Sequence, residues 1–144
     1  MNMKHNRPTF VFFALSLLLA GCSHDGDSKK TLTDAEIAER IVGSWKTDGK
    51  TASGALASGT VSIAGDGSLM CKTKFLRGER ELNIEYTGEW RVEKGVLIET
   101  IKTTSHSNLL AVGLVTRDKI LRLDDQKLVF ETESGSTVTR DRGK

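Results

Sequence analysis

Residues 68 to 92 read SLMCKTKFLRGERELNIEYTGEWRV, and along them the side chains alternate. Leu69, Cys71, Thr73 and Phe75 fall on one side of an extended chain and Ser68, Lys72 and Lys74 on the other, because successive strand side chains point to opposite faces. The chain reverses around Arg77-Gly78-Glu79. Leu82, Ile84 and Tyr86 then oppose Glu81, Asn83 and Glu85, and past Gly88 the alternation resumes with Trp90 and Val92. A period of two with one apolar face predicts antiparallel strands whose inner faces enclose a core.

The same pattern extends both ways. Upstream, Val61 and Ile63 alternate with polar neighbours before a tight turn at Asp66-Gly67. Downstream, Glu93-Lys94-Gly95 turns into VLIETIKT, and residues 103 to 108 form a polar loop. LLAVGLVT is apolar without a period and reads equally as strand or buried helix. KILRL and KLVFET flank Asp124-Asp125-Gln126, and STVTRD follows Glu133-Ser134-Gly135. About eight short strands joined by close turns predict an all-β fold, an antiparallel up-and-down meander or barrel. Closure would remove the sheet edges that an open meander exposes.

Ahead of the strands lies TDAEIAERIVGSW. Thr33 and Glu36 have the spacing of a capping box, and Ile37 and Ile41 share one helical face, which predicts one short N-terminal helix over about residues 34 to 42. Gly43 can stop it with a left-handed residue. The helix is expected to pack across an open end of the barrel.

The chain begins with Lys4 and Arg7, then a run from Phe10 to Ala20 interrupted only by Ser16, the layout of a secretory signal. As a helix that run reaches only roughly 16 Å, about half of a ~30 Å hydrocarbon core, which argues against a permanent span. Leu19-Ala20-Gly21-Cys22 resembles the lipobox of bacterial lipoproteins. The resemblance implies diacylglycerol on the Cys22 sulfur and cleavage before Cys22. It also implies a third acyl chain on the new amino terminus, and two or three chains make a durable membrane anchor. Ser23 stands where an aspartate favours inner-membrane retention in that family, so the expected location is the outer membrane of a bacterial envelope. The expected organisation is a signal at residues 1–21, a lipidated cysteine and polar tether at 22–32, and a barrel domain at 33–144.

Lys and Arg exceed Asp and Glu by 21 to 19 in the whole chain, and removal of Lys4 and Arg7 leaves the remainder neutral. Neutrality gives no electrostatic case for nucleic acid. GSWKTDGKT falls one residue outside the spacing of a phosphate-binding loop and follows a helical pattern. Lys29 and Lys30 spoil a calcium-loop spacing at Asp25, Asp27 and Glu36. His24 and His106 lie in polar segments, so no metal site or cofactor is expected. Ser105 and Ser107 flank His106, but a nucleophile and its base must meet in space with an orienting group. The carboxylates fall mostly at outward strand positions or in turns, and no acid/base pair is legible. The chain is therefore not expected to be an enzyme.

The helix leading into Gly43-Ser44-Trp45, the up-and-down strands and a late arginine resemble the lipocalin-like calycins. GSWKTDG, AGDGSLMC, YTGEWRVEKGVL and ILRLDDQKLVF resemble more closely the small bacterial lipocalin-like domains found behind a lipobox, over about residues 40 to 140. The chain lacks the Thr-Asp-Tyr stretch of larger lipocalins. The resemblance implies that Trp45 packs at the barrel base against Arg140 or Arg142, with Gly43, Trp45 and Arg140 taken as the structural motif. The second Gly-x-Trp, Gly88 to Trp90, is read as another strand beginning at a glycine bend.

A ligand pocket is expected inside the barrel, lined by Leu69, Cys71, Phe75, Ile84, Tyr86 and Trp90 and holding a small apolar molecule. The alternative is a filled core in an envelope protein that acts through a protein partner, by the helix or the long loops.

Overall fold

The computed structural model describes residues 31–51 and 54–143; Leu19, Ala20, Gly21, Cys22 and the tether before residue 31 lie outside them. Helix α1 (Asp34–Ile41) precedes eight strands: β1 (Gly43–Lys50), β2 (Leu56–Ile63), β3 (Ser68–Arg77), β4 (Arg80–Glu93), β5 (Val96–Thr104), β6 (Val115–Leu123), β7 (Lys127–Glu131) and β8 (Thr137–Arg142). Each pairs antiparallel with the next, and β8 returns to β1 to close the barrel. The fold is thus the expected up-and-down barrel with one short helix.

The capping box forms as its spacing requires. The Glu36 amide donates to Thr33 Oγ1 at 3.2 Å, and the Thr33 amide donates to Glu36 Oε2 at 2.8 Å. Ile37 and Ile41 are buried on the face that meets the barrel. The Asp34 carboxylate accepts the amides of Lys94 and Gly95 at 2.6 and 2.8 Å. These bonds tie the start of the helix to the β4–β5 turn.

Three details differ from expectation. Helix α1 stops at Ile41, and Gly43, at φ +138°, starts β1 instead of capping the helix. Gly88 does not begin a strand. It sits within the single strand β4 at a register shift after Thr87, where an added Cβ would lie 2.5 Å from the Thr100 carbonyl oxygen. The tight approach, not a strand beginning, demands glycine there. Of residues 109–116, only Val115 and Thr116 join a strand. The amides of Leu109 and Leu110 donate to the His106 carbonyl, Gly113 and Leu114 bond back to Ile101, and Leu109 and Val112 are exposed.

Closure rests on few backbone pairs: among the described residues Trp45↔Arg142 and Lys46↔Asp141 join β1 to β8, and just beyond them the Gly143 amide donates to Ser44 O at 2.7 Å. Side chains reinforce that seam. The fully buried Trp45 indole donates to the Ile41 carbonyl at 2.7 Å, and the Arg142 guanidinium covers its ring at 4.0 Å. Arg142 also donates from Nη1 to Val42 O at 2.9 Å, from Nη2 to Arg40 O at 2.7 Å and from Nε to Asp125 O at 3.0 Å. One guanidinium therefore binds carbonyls at the end of α1 and in the β6–β7 turn while capping the core tryptophan. Gly43 leaves room for it, since a Cβ there would meet Nη1 at 2.6 Å.

A lysine can reach one of these carbonyls but cannot match a planar fork of donors. Arg142→Lys is expected to destabilise the barrel by about 2 kcal/mol, each lost charge-assisted bond being offset in part by water. Urea unfolding checks this, and a variant as stable as the parent would contradict the clamp.

Candidate functional site

An up-and-down barrel has two ends, and here they differ. Helix α1 and the turns after β2, β4 and β6 lie at one end, where Ile37, Ile41, Trp45, Ile63, Leu97, Leu123 and Leu128 pack into a solid core. Towards the other end the inward rows shrink. Trp45 is followed on its face by Thr47; Val61 is preceded by Gly59 and Ala57; Cys71 is followed by Thr73. Small side chains in adjacent rows cannot fill a barrel of this girth. A chamber of about 450 Å³ remains, reaching the β7–β8 turn at Thr132, Glu133 and Ser134.

Its walls are of two kinds. Val61, Phe75, Phe130 and Val138 supply apolar surface, while Tyr86, Glu99, Thr116, Asp118 and Arg140 bring polar groups inward. Glu99 and Asp118 are only 3% and 8% exposed, although charged side chains are seldom buried without partners. Arg140 Nη1 approaches Glu99 Oε1 to 3.6 Å, too far for a hydrogen bond, and neither atom has another hydrogen-bond partner. The Thr116 hydroxyl is likewise buried and unpaired. Tyr86 donates a long bond to Glu99 Oε2 at 3.4 Å, and Arg140 lies over the Phe130 ring at 4.8 Å.

Burial, then the nearby Glu99 charge, pushes the Asp118 carboxyl up to about 6; Arg140 opposes the shift and Glu133 adds to it. Burial likewise raises the Tyr86 phenol, helped by Glu99 and Cys71, so the phenol stays protonated. The Cys71 sulfur sits 3.4 Å from Thr73 Oγ1.

Of the pocket residues expected from sequence, Cys71, Phe75 and Tyr86 line the chamber. Leu69, Ile84 and Trp90 do not. Leu69 is buried a rung lower, opposite Ile63 and Gly88. The Trp90 indole donates to Ala64 O at 2.9 Å beside the packed end. Ile84 instead borders a separate hollow of about 380 Å³ with Ala55 and Leu82. The motif arginine also needs correction: Arg142, not Arg140, covers Trp45, because the register pairs Trp45 with Arg142. Arg140, one inward position away, belongs to the chamber.

Sequence reasoning missed Glu99 and Asp118, and it gave Arg140 to the tryptophan motif instead of the chamber. Their signal was parity: Glu99 lies between inward Leu97 and Ile101, Asp118 two residues before Ile120, and Arg140 two after Val138. The Ser105 hydroxyl does meet His106 Nδ1 at 2.9 Å, but it also accepts the Glu85 amide at 2.9 Å, tying the loop to β4. Among the described residues no carboxylate orients that imidazole, and no group of three or more His, Cys, Asp and Glu could hold a metal ion.

Fold and site together define a closed eight-stranded antiparallel barrel, solid at one end and hollow at the other. No protein-family model and no curated protein matches the chain. Among solved structures it is similar to a de novo designed fluorescence-activating β-barrel, at 15% identity and a TM-score of 0.47. That match covers 78% of this chain and 100% of the designed one.

A carboxyl whose pKa is higher folded than unfolded makes the folded chain the better proton binder. Between pH 3.8 and about 6, stability contributed by Asp118 therefore falls as pH rises. At pH 7.5 the ionised group costs on the order of 2 kcal/mol relative to pH 4. Asp118→Asn is expected to melt several degrees above the parent at pH 7.5 and to lose most of that advantage at pH 4. Melting curves check this, and an equal gap at both pH values would contradict it.

Proposed function

We propose that this chain is a lipid-anchored protein of the bacterial envelope whose lipocalin-like barrel holds one small molecule with an apolar body. The observation that carries the reading is the chamber of about 450 Å³ left by Thr47, Ala57, Gly59 and Thr73, walled in part by Val61, Phe75 and Phe130. A volume of that order suits a small ligand. The filled-core alternative accounts for the α1 end but leaves the chamber without a purpose. The same geometry supports a binding role, since inward polar groups around an apolar space can orient a small molecule.

The anchor rests on Cys22 behind Leu19-Ala20-Gly21 and the apolar run before them. Ser23 supports delivery to the outer membrane. The anchor would keep the barrel at the membrane, with the polar tether giving it reach.

Two measurements test this reading. Cys22→Ser is expected to abolish incorporation of labelled palmitate; continued labelling would rule the anchor out. Residues 23 to 144, secreted without the anchor and purified free of detergent, are expected to bind the neutral dye prodan with a blue-shifted emission. Ala57→Phe, which fills the chamber, should lose that signal while still folding. A parent protein that ignores the dye and carries no extra mass by native mass spectrometry would overturn the carrier reading.

A further inference from the structure

The polar wall of the chamber is not balanced. Glu99 and Asp118 bring two carboxyl groups against the single guanidinium of Arg140. Glu133, the acidic group at the rim, lies 3.9 Å from Arg117. Inside, acidic groups outnumber the basic one two to one.

The surplus has a specific address. The Glu99 side chain is 4% exposed and lines the chamber, yet its Oε1 atom receives no hydrogen bond. A carboxylate oxygen withdrawn from water without a donor is costly, and the 3.6 Å approach of Arg140 supplies Coulomb attraction without a bond. The Thr116 hydroxyl, also buried and unpaired, offers an acceptor in the same chamber.

We propose that the chamber selects a ligand whose apolar or aromatic body carries a cationic amine, and that the amine docks against Glu99 with Asp118 completing its charge environment. The proposal rests on the reading that the chamber holds a small molecule, and it names that molecule's chemistry. An ammonium brings three N–H donors and no acceptor. It can supply the donor that Glu99 Oε1 lacks and a second to Thr116, and its charge offsets the surplus. A carboxylate head could accept from the unpaired Arg140 Nη1 but would meet two acidic groups, and a neutral hydroxyl would leave the surplus in place. Phe75 and Tyr86 provide aromatic walls for the body of the ligand and, at suitable angles, a ring face for its charge. The Phe130 ring already carries Arg140.

The test uses three ligands with one indole body and different heads: tryptamine, tryptophol and indole-3-propionate. Each is titrated by calorimetry into the full chain in nanodiscs of zwitterionic lipid, with empty nanodiscs as the blank and prodan as a head-independent probe of the chamber. Tryptamine is expected to bind about tenfold or more tighter than indole-3-propionate, with tryptophol between them. Glu99→Gln should weaken tryptamine about tenfold and tryptophol by less than about twofold. Asp118→Asn gives a second, independent loss of amine preference should the Glu99 variant fail to fold. Equal or tighter binding of the alcohol or the acid would overturn the amine assignment and leave the carrier reading standing. So would an amine preference that neither variant changes, or prodan binding without any indole binding. No binding of prodan or of any indole would overturn both.

Discussion

The Arg142 guanidinium holds together parts of the chain that the backbone ladder scarcely joins. The sheet closes through two residue pairs between β1 and β8, a short seam for an eight-stranded barrel. Arg142 lies on that seam, covers Trp45 and donates to carbonyls at the end of α1 and in the β6–β7 turn. Helix ends leave carbonyls without intrahelical partners, and a cation at a helix C-terminus is favoured by the helix dipole as well. A single side chain thus fixes the seam, the helix and the turn, and Gly43 has no Cβ to obstruct it. At the start of the helix, Asp34 makes the matching connection to the β4–β5 turn.

With one end fixed in this way, the other is free to carry features that destabilise. Trp45, Leu97 and Leu128 are fully buried and concentrate the apolar packing beside α1. Beyond them glycine, alanine and threonine enter the inward rows, and buried charges join the apolar wall of Phe75, Phe130 and Val138. An Arg–carboxylate pair without hydrogen bonds is a poor device for stability, since desolvation of the two ions outweighs a long contact. Its place in a chamber next to an unpaired threonine is a departure from what the fold needs, and it is on this departure that the proposed ligand site rests. The apolar packing is therefore concentrated at the α1 end, and the chamber proposed to hold a ligand lies at the other.

Much of the fold was legible because it is local. The alternation of Leu69, Cys71, Thr73 and Phe75, and of Leu82, Ile84 and Tyr86, marks strands regardless of their partners, and Thr33 with Glu36 marks a helix start. The candidate site was less legible because it depends on height along the barrel, which only the register sets. Arg140 and Arg142 share a face two residues apart, and only the pairing of Trp45 with Arg142 assigns one to the clamp and the other to the chamber. Glu99 was obscured by Val96, Leu97 and Ile98, a run apolar on both faces, which hides the parity that would mark its carboxylate as inward. Leu69 and Trp90 follow the expected inward pattern but lie too near the packed end to meet the chamber.

The end of the barrel away from α1 is an open space with apolar and charged walls rather than a second core. A crystal structure near atomic resolution, grown from detergent-free protein, tests it most directly through the density between Glu99, Thr116 and Arg140. Ordered water or a bound molecule donating to Glu99 Oε1, with the chamber walls held apart, is the expected result. Collapse of the chamber into a direct, bidentate Glu99–Arg140 pair closed over by Phe75 and Phe130 would contradict it.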